Sequence, residues 1–212
     1  MSNSVIRRPF QYTYTNATFI IIGINLLFYI LNEIIPNSRI YTALNVTYVL
    51  QAHYYWQFIT YMFTHANLSH IFFNMLGLFF FGIATEKTLG SKEFILFYLL
   101  IGFFSGLVSF LVYWVTGSYY TFLLGASGAV YGVLFLYAVL FPSSKIYIWG
   151  ILPIPAPLLV AIYAGIEIAS QFMNTQSGIS HMTHLSGFLF TWLYIRIRLG
   201  IKPWQVWKNT FR

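Results

Sequence analysis

Long apolar blocks alternate along this chain with short polar, basic or aromatic stretches. A helix that crosses a bilayer needs roughly 20 mainly apolar residues at 1.5 Å each. By that measure the blocks predict six spans, over residues 18–35, 68–84, 94–115, 127–141, 156–172 and 181–197. The fourth is short for a helix that faces lipid. It is expected to be central, shielded by the others, and to start below the membrane surface. The stretch between the first two spans, residues 36–67, is too long for a turn. Its aromatic residues (Tyr48, Tyr54, Tyr55, Trp56, Phe58, Tyr61 and Phe63) suit the headgroup layer. An interfacial insertion that braces the fold, with no catalytic duty, is the expectation.

Composition agrees with the pattern. Of 212 residues, 58% are hydrophobic, 21% aromatic and 7% charged. A soluble domain carries about a quarter of its residues as charges. The fold class expected is therefore an all-α integral membrane bundle of six transmembrane helices. With no cysteine, disulfides, thiolate nucleophiles and cysteine metal sites are excluded. No cleavable signal peptide is evident at the polar, aromatic N-terminus.

The net charge of +7 changes the picture only through its placement. With both termini cytoplasmic, the inner segments hold Arg7, Arg8, Lys87, Lys92, Lys145, Arg196, Arg198, Lys202, Lys208 and Arg212, and the outer loops only Arg39. That is the orientation that the positive-inside rule selects. Basic residues split among four segments argue for a topology signal and against nucleic acid. The expected organisation is a cytoplasmic tail over 1–15, a membrane domain over 16–200 and a basic cytoplasmic tail over 201–212.

Strongly polar groups inside a membrane are costly, and so each is a functional candidate. Asn74 lies 12 residues before Glu86, and His184 lies 12 before Arg196, each about 18 Å of helix. Ser127 lies 15 before Pro142, about 22 Å. Three spans thus present Asn, Ser and His at one depth. Gly128 and Gly132 share a face beside Ser127, and Gly187 sits one turn below His184, so two backbones can approach closely. A hydroxyl needs a base to become a nucleophile, and neutral His is the usual one. Tyr131, one turn below Ser127, is placed to hold the imidazole by stacking and hydrogen bonding. His70 and Asn74 share a face of the second span and, with the free N–H groups beginning the fourth, offer donors to an oxyanion.

Of four acidic residues, Glu33, Glu86 and Glu93 fall near span ends. Glu167 is mid-span in the fifth, but a Ser–His dyad is the simpler assignment. The histidines (His53, His65, His70, His181 and His184) have no carboxylate expected at their level and no HExxH pattern, so no metal site is expected. His65 is read as a structural hydrogen-bonding residue.

Gly125-Ala126-Ser127-Gly128, His184-Leu185-Ser186-Gly187, HANLSHIFFN from His65 to Asn74 and GIATEKTLGS after the second span together resemble the rhomboid family of intramembrane serine proteases. The resemblance implies a six-helix rhomboid-like core with Ser127 as nucleophile and His184 as base. It assigns His70 and Asn74 to the oxyanion hole and Tyr131 to support of the histidine, and it needs no cofactor. It also implies a water-filled cavity opening outward, a lid over 173–180, a fifth helix that gates laterally, and single-span membrane proteins as substrates. One departure is Trp56-Gln57 in place of the family's Trp-Arg, which is expected to loosen the first loop. Composition and the lack of extra domains suggest a bacterial cytoplasmic membrane. The competing readings are a non-catalytic rhomboid-like binder of membrane segments and a solute transporter. No internal repeat of the kind transporters show is found.

Overall fold

The computed structural model describes residues 5–8, 10–148, 150–172 and 181–211. Its long helices are α1 (Ala17–Ile34), α5 (Leu68–Leu89), α6 (Ser91–Val115), α7 (Ser127–Leu140), α8 (Ala156–Phe172) and α9 (His181–Tyr194, continued by a π turn, Ile195–Leu199). Short helices α2 (Ser38–Thr42), α3 (Val46–Gln51) and α4 (Gln57–Thr60) occupy the first loop, and α10 (Pro203–Thr210) follows α9. Three of these, α1, α5 and α6, are long and apolar enough to cross a bilayer unaided. Exposed apolar side chains such as Leu26, Leu27, Phe72, Phe73 and Phe80 coat the outside. Such a surface is stable against lipid and not against water.

As its length suggested, α7 is central. Ten of its fourteen residues are buried, and the helix is apolar all round. Its closest neighbour is α9. A Cβ built on Gly187 would lie 2.2 Å from the Gly128 carbonyl oxygen, so the helices touch backbone to backbone where both lack a side chain. The α6 helix also packs on α7, through Ser105 beside Gly128 and Ile101 beside Gly132, while its Gly102 and Gly106 receive Met62 and Tyr61 of the first loop.

The chain is not all-α. Lys145–Ile148 (β1) and Leu152–Pro155 (β2) form an antiparallel hairpin between α7 and α8, pairing Ile146 with Ile154. Pro142 ends α7, and the Lys-Ile-Tyr-Ile run then alternates with period two, turning Ile146 and Ile148 toward the core. The terminal segments are tied to the bundle. Ser91 N–H donates to Thr13 O (2.7 Å), Arg7 Nε to Ile197 O (3.3 Å) and Trp207 Nε1 to Ala138 O (2.9 Å).

Buried carboxylates lock the basic end. Glu86 accepts from the backbone N–H groups of Ala17 (2.6 Å) and Thr18 (2.8 Å), capping α1 from another helix, and from Thr18 Oγ1 and Ser91 Oγ. A negative charge there also meets the positive end of the α1 dipole. Glu93 accepts from Nε and Nη2 of Arg198 (2.8 Å each) and from the Tyr194 hydroxyl.

The first loop does brace the fold, and more directly than an aromatic belt would. Gln57 is fully buried, its Oε1 accepting from Asn45 N–H (3.1 Å) and its Nε2 donating to Ile40 O (2.8 Å). Where the family's arginine would stand, the Gln57 amide ties two segments of the loop with a donor and an acceptor at once. Leu44 and Leu123 exchange backbone hydrogen bonds of 2.8 and 2.9 Å, and Gly125 N–H donates to Tyr61 O (2.9 Å). The loop therefore holds the segment that leads into Ser127.

Candidate active site

Ser127 is the first residue of α7, directly after Ala126 at the N-cap. The first intrahelical bond is Val130 N–H to Ala126 O, so the N–H groups of Ser127, Gly128 and Ala129 start the helix without intrahelical acceptors. Gly125 just before has φ +117°, and a Cβ on it would come within 2.6 Å of the His70 ring. Only glycine meets both demands. The sharp entry into α7 and the contact with His70 thus share one residue.

From α9, His184 brings Nε2 to 2.7 Å from Ser127 Oγ. The imidazole is 8% exposed and lies flat on the Tyr131 ring, with centroids 4.2 Å apart and planes 13° apart. Stacking fixes the ring plane, while the glycine contact between α7 and α9 fixes its distance from the serine. Tyr131 stacks on the imidazole. Its hydroxyl, however, donates not to the imidazole but to Glu167 Oε1 (2.8 Å).

On α5, Asn67 caps the helix by accepting from His70 N–H (2.9 Å), which sets the face that His70 and Asn74 share. Asn74 Nδ2 donates to His70 O (2.8 Å), leaving the amide's second hydrogen for another acceptor. Asn74, His70, Ser127, Tyr131 and His184 all border one cavity of about 750 Å³, whose remaining wall is largely apolar and includes Phe80 and Tyr163. The proposed oxyanion donors and the serine thus open onto one space. The lid expected over 173–180 lies outside the described residues.

A family model described as the Rhomboid domain matches residues 52–201. The chain belongs to the rhomboid family. It is similar to RHOMBOID-like protein 12, mitochondrial, of Arabidopsis thaliana, with 32% identity over 67% of this chain and 46% of that protein. Putative rhomboid protease YdcA of Bacillus subtilis shares 30% identity over 67% of this chain and 68% of its own length. Rhomboid protease GlpG of Enterobacter sp. shares 28% over 61% and 46%. The chain spans about half the length of the Arabidopsis relative. This rhomboid is an integral membrane protein, as its family and its apolar helices both require.

Two expectations about its polar residues need correction. A carboxylate does stand at the level of the histidines. Glu167 Oε1 lies 2.8 Å from His184 Nδ1, and Oε2 lies 2.6 Å from His181 Nδ1. Counted from the start of its own helix, Glu167 lies 11 residues in, about 17 Å. The second concerns His65. It is fully buried, packs edge-on against His70 at 5.1 Å, and neither ring nitrogen has a hydrogen-bond partner among the described residues. Burial, with the His70 ring beside it, holds His65 well below its ordinary pKa, at about 3. The ring stays neutral and serves as packing.

Proposed function

We propose that this rhomboid is an intramembrane serine endopeptidase, with Ser127 as nucleophile and His184 as general base. The observation that carries the reading is the 2.7 Å approach of Ser127 Oγ to His184 Nε2 at the border of a cavity. In acylation, the Ser127 proton passes to His184 Nε2 as Oγ attacks the scissile carbonyl. The oxyanion accepts from the Ser127 N–H and from the Asn74 and His70 side chains. Collapse of this intermediate breaks the peptide C–N bond, and His184 returns the proton to the leaving amine. Water then attacks the acyl-enzyme by the same exchange in reverse, releasing the acid and restoring Ser127. No cofactor or metal takes part.

The six apolar helices are assigned as six spans, with both termini cytoplasmic and Ser127 nearer the opposite face. Basic residues gathered at the Glu86 and Glu93 end support that orientation. Single-span membrane proteins are the proposed substrates, entering from the lipid toward the cavity, and a bacterial cytoplasmic membrane is the proposed location.

A serine-directed fluorophosphonate applied in detergent tests the reading. Wild-type protein becomes labelled and cuts a co-reconstituted single-span protein. Ser127→Ala is unlabelled, and Ser127→Ala and His184→Ala each lose turnover by about 10⁴-fold or more while retaining the helical fold. Labelling undiminished by Ser127→Ala would refute the assignment. A wild-type protein that captures the membrane segment without ever cutting it would favour a non-catalytic binder.

A further inference from the structure

His184 is gripped at both nitrogens, and the second grip has no role in a serine–histidine dyad. Nδ1 is 2.8 Å from Glu167 Oε1, on the side of the ring opposite Ser127. Glu167 is only 5% exposed and does not border the cavity that Ser127 and His184 line. Its surroundings are built. Tyr131 on α7 donates to Oε1 (2.8 Å), and His181, one turn before His184 on α9, holds Oε2 (2.6 Å). Three side chains from two other helices converge on one carboxylate. Such compensation is what keeping a charge in a helix interior requires.

We infer that Glu167 is a positioning residue that turns the dyad into a Ser127–His184–Glu167 triad. The inference rests on the reading of Ser127 and His184 as nucleophile and base. An ionised carboxylate can only accept, so the hydrogen of neutral His184 must sit on Nδ1. Nε2 is then the bare nitrogen, facing Ser127 Oγ at 2.7 Å. Without Glu167, nothing among the described residues selects that tautomer, and the alternative, with hydrogen on Nε2, cannot take the serine proton. During acylation the proton stays on His184 and does not move to Glu167. The carboxylate stabilises the imidazolium that forms. Tyr131 acts twice, stacking on the imidazole and fixing the carboxylate oxygen that the imidazole needs. His181 occupies the other oxygen, so the carboxylate cannot rotate away.

Glu167→Gln keeps the size of the side chain and removes the charge. The expected result is a kcat lowered by about 10²- to 10⁴-fold with KM within about threefold, and with the helical fold intact. Nitrogen-15 spectra of histidine-labelled protein supply a readout that a purely structural role would not move. His184, assigned by loss of its signals in His184→Asn, should show a protonated Nδ1 in wild type and in Ser127→Ala. A mixture of tautomers should appear in Glu167→Gln. A Glu167→Gln kcat within threefold of wild type, beside an inactive Ser127→Ala, overturns the inference. If wild-type protein shows no Ser127-dependent labelling or cleavage, the protease reading fails by itself. The spectra then decide for Glu167: hydrogen on Nε2 in wild type overturns the orienting role, and Nδ1 protonation lost in Glu167→Gln upholds it.

Discussion

At the basic end of the bundle, Glu86 and Glu93 are buried among donors that keep their protons: two backbone amides, hydroxyls and a guanidinium. At the Ser127 end, Glu167 is buried among two imidazoles and a phenol, and one of those imidazoles holds a serine beside a cavity. The residue type and the burial are alike; the partners are not. A carboxylate whose partners cannot exchange protons stores stability. One whose partner is a histidine in contact with a hydroxyl governs where a proton sits. Burial of an acid in a membrane protein marks a site of consequence, and only its partners say of which kind.

Three substitutions sharpen that contrast. The largest effect is expected for Glu93→Ala, which strips Arg198 of its carboxylate. Breaking a buried pair in this way costs about 3–5 kcal/mol. Thermal denaturation in detergent should show the loss, while kcat per folded molecule stays near wild type. A fall in kcat out of proportion to unfolding would break the division between the two ends. Next comes Asn74→Ala at the Ser127 end, where removing one oxyanion donor costs about 3–4 kcal/mol of transition-state stabilisation and little stability. Its activity loss should remain smaller than that of Ser127→Ala; equal losses would make Asn74 structural. The smallest is Glu86→Gln, which gives up a charge-assisted bond to the α1 amides for about 1.5–3 kcal/mol of stability. Denaturation midpoints should shift with no change in fluorophosphonate labelling rate.

The contrast also shows what could be read from sequence. Counting residues from a charged boundary brought Asn74, Ser127 and His184 to one depth, because helical rise is constant and charges mark the membrane edge. Glycines 128 and 187 announced the close contact, because a missing side chain is visible in a sequence. Glu167 was placed mid-span but its role was left open, because its importance comes from three partners elsewhere in the chain, at 131, 181 and 184. The anchoring bonds of Gln57 were out of reach for a similar reason. A buried amide can replace an arginine as an anchor only when a donor and an acceptor stand at the right distance on both sides.

By itself, the order of residues determined that this is a membrane protein, where its apolar helices lie, that α7 is central, and which serine and histidine share a level. Those are properties of hydrophobicity and of helical rise, and both are local. Tertiary structure alone decided which nitrogen of His184 faces Ser127, what holds the other nitrogen, that the first loop pins the approach to α7, and that the link from α7 to α8 is a hairpin. Each of these depends on the angle and separation at which distant segments pack, and a hydrogen bond is sensitive to tenths of an ångström that no sequence period encodes.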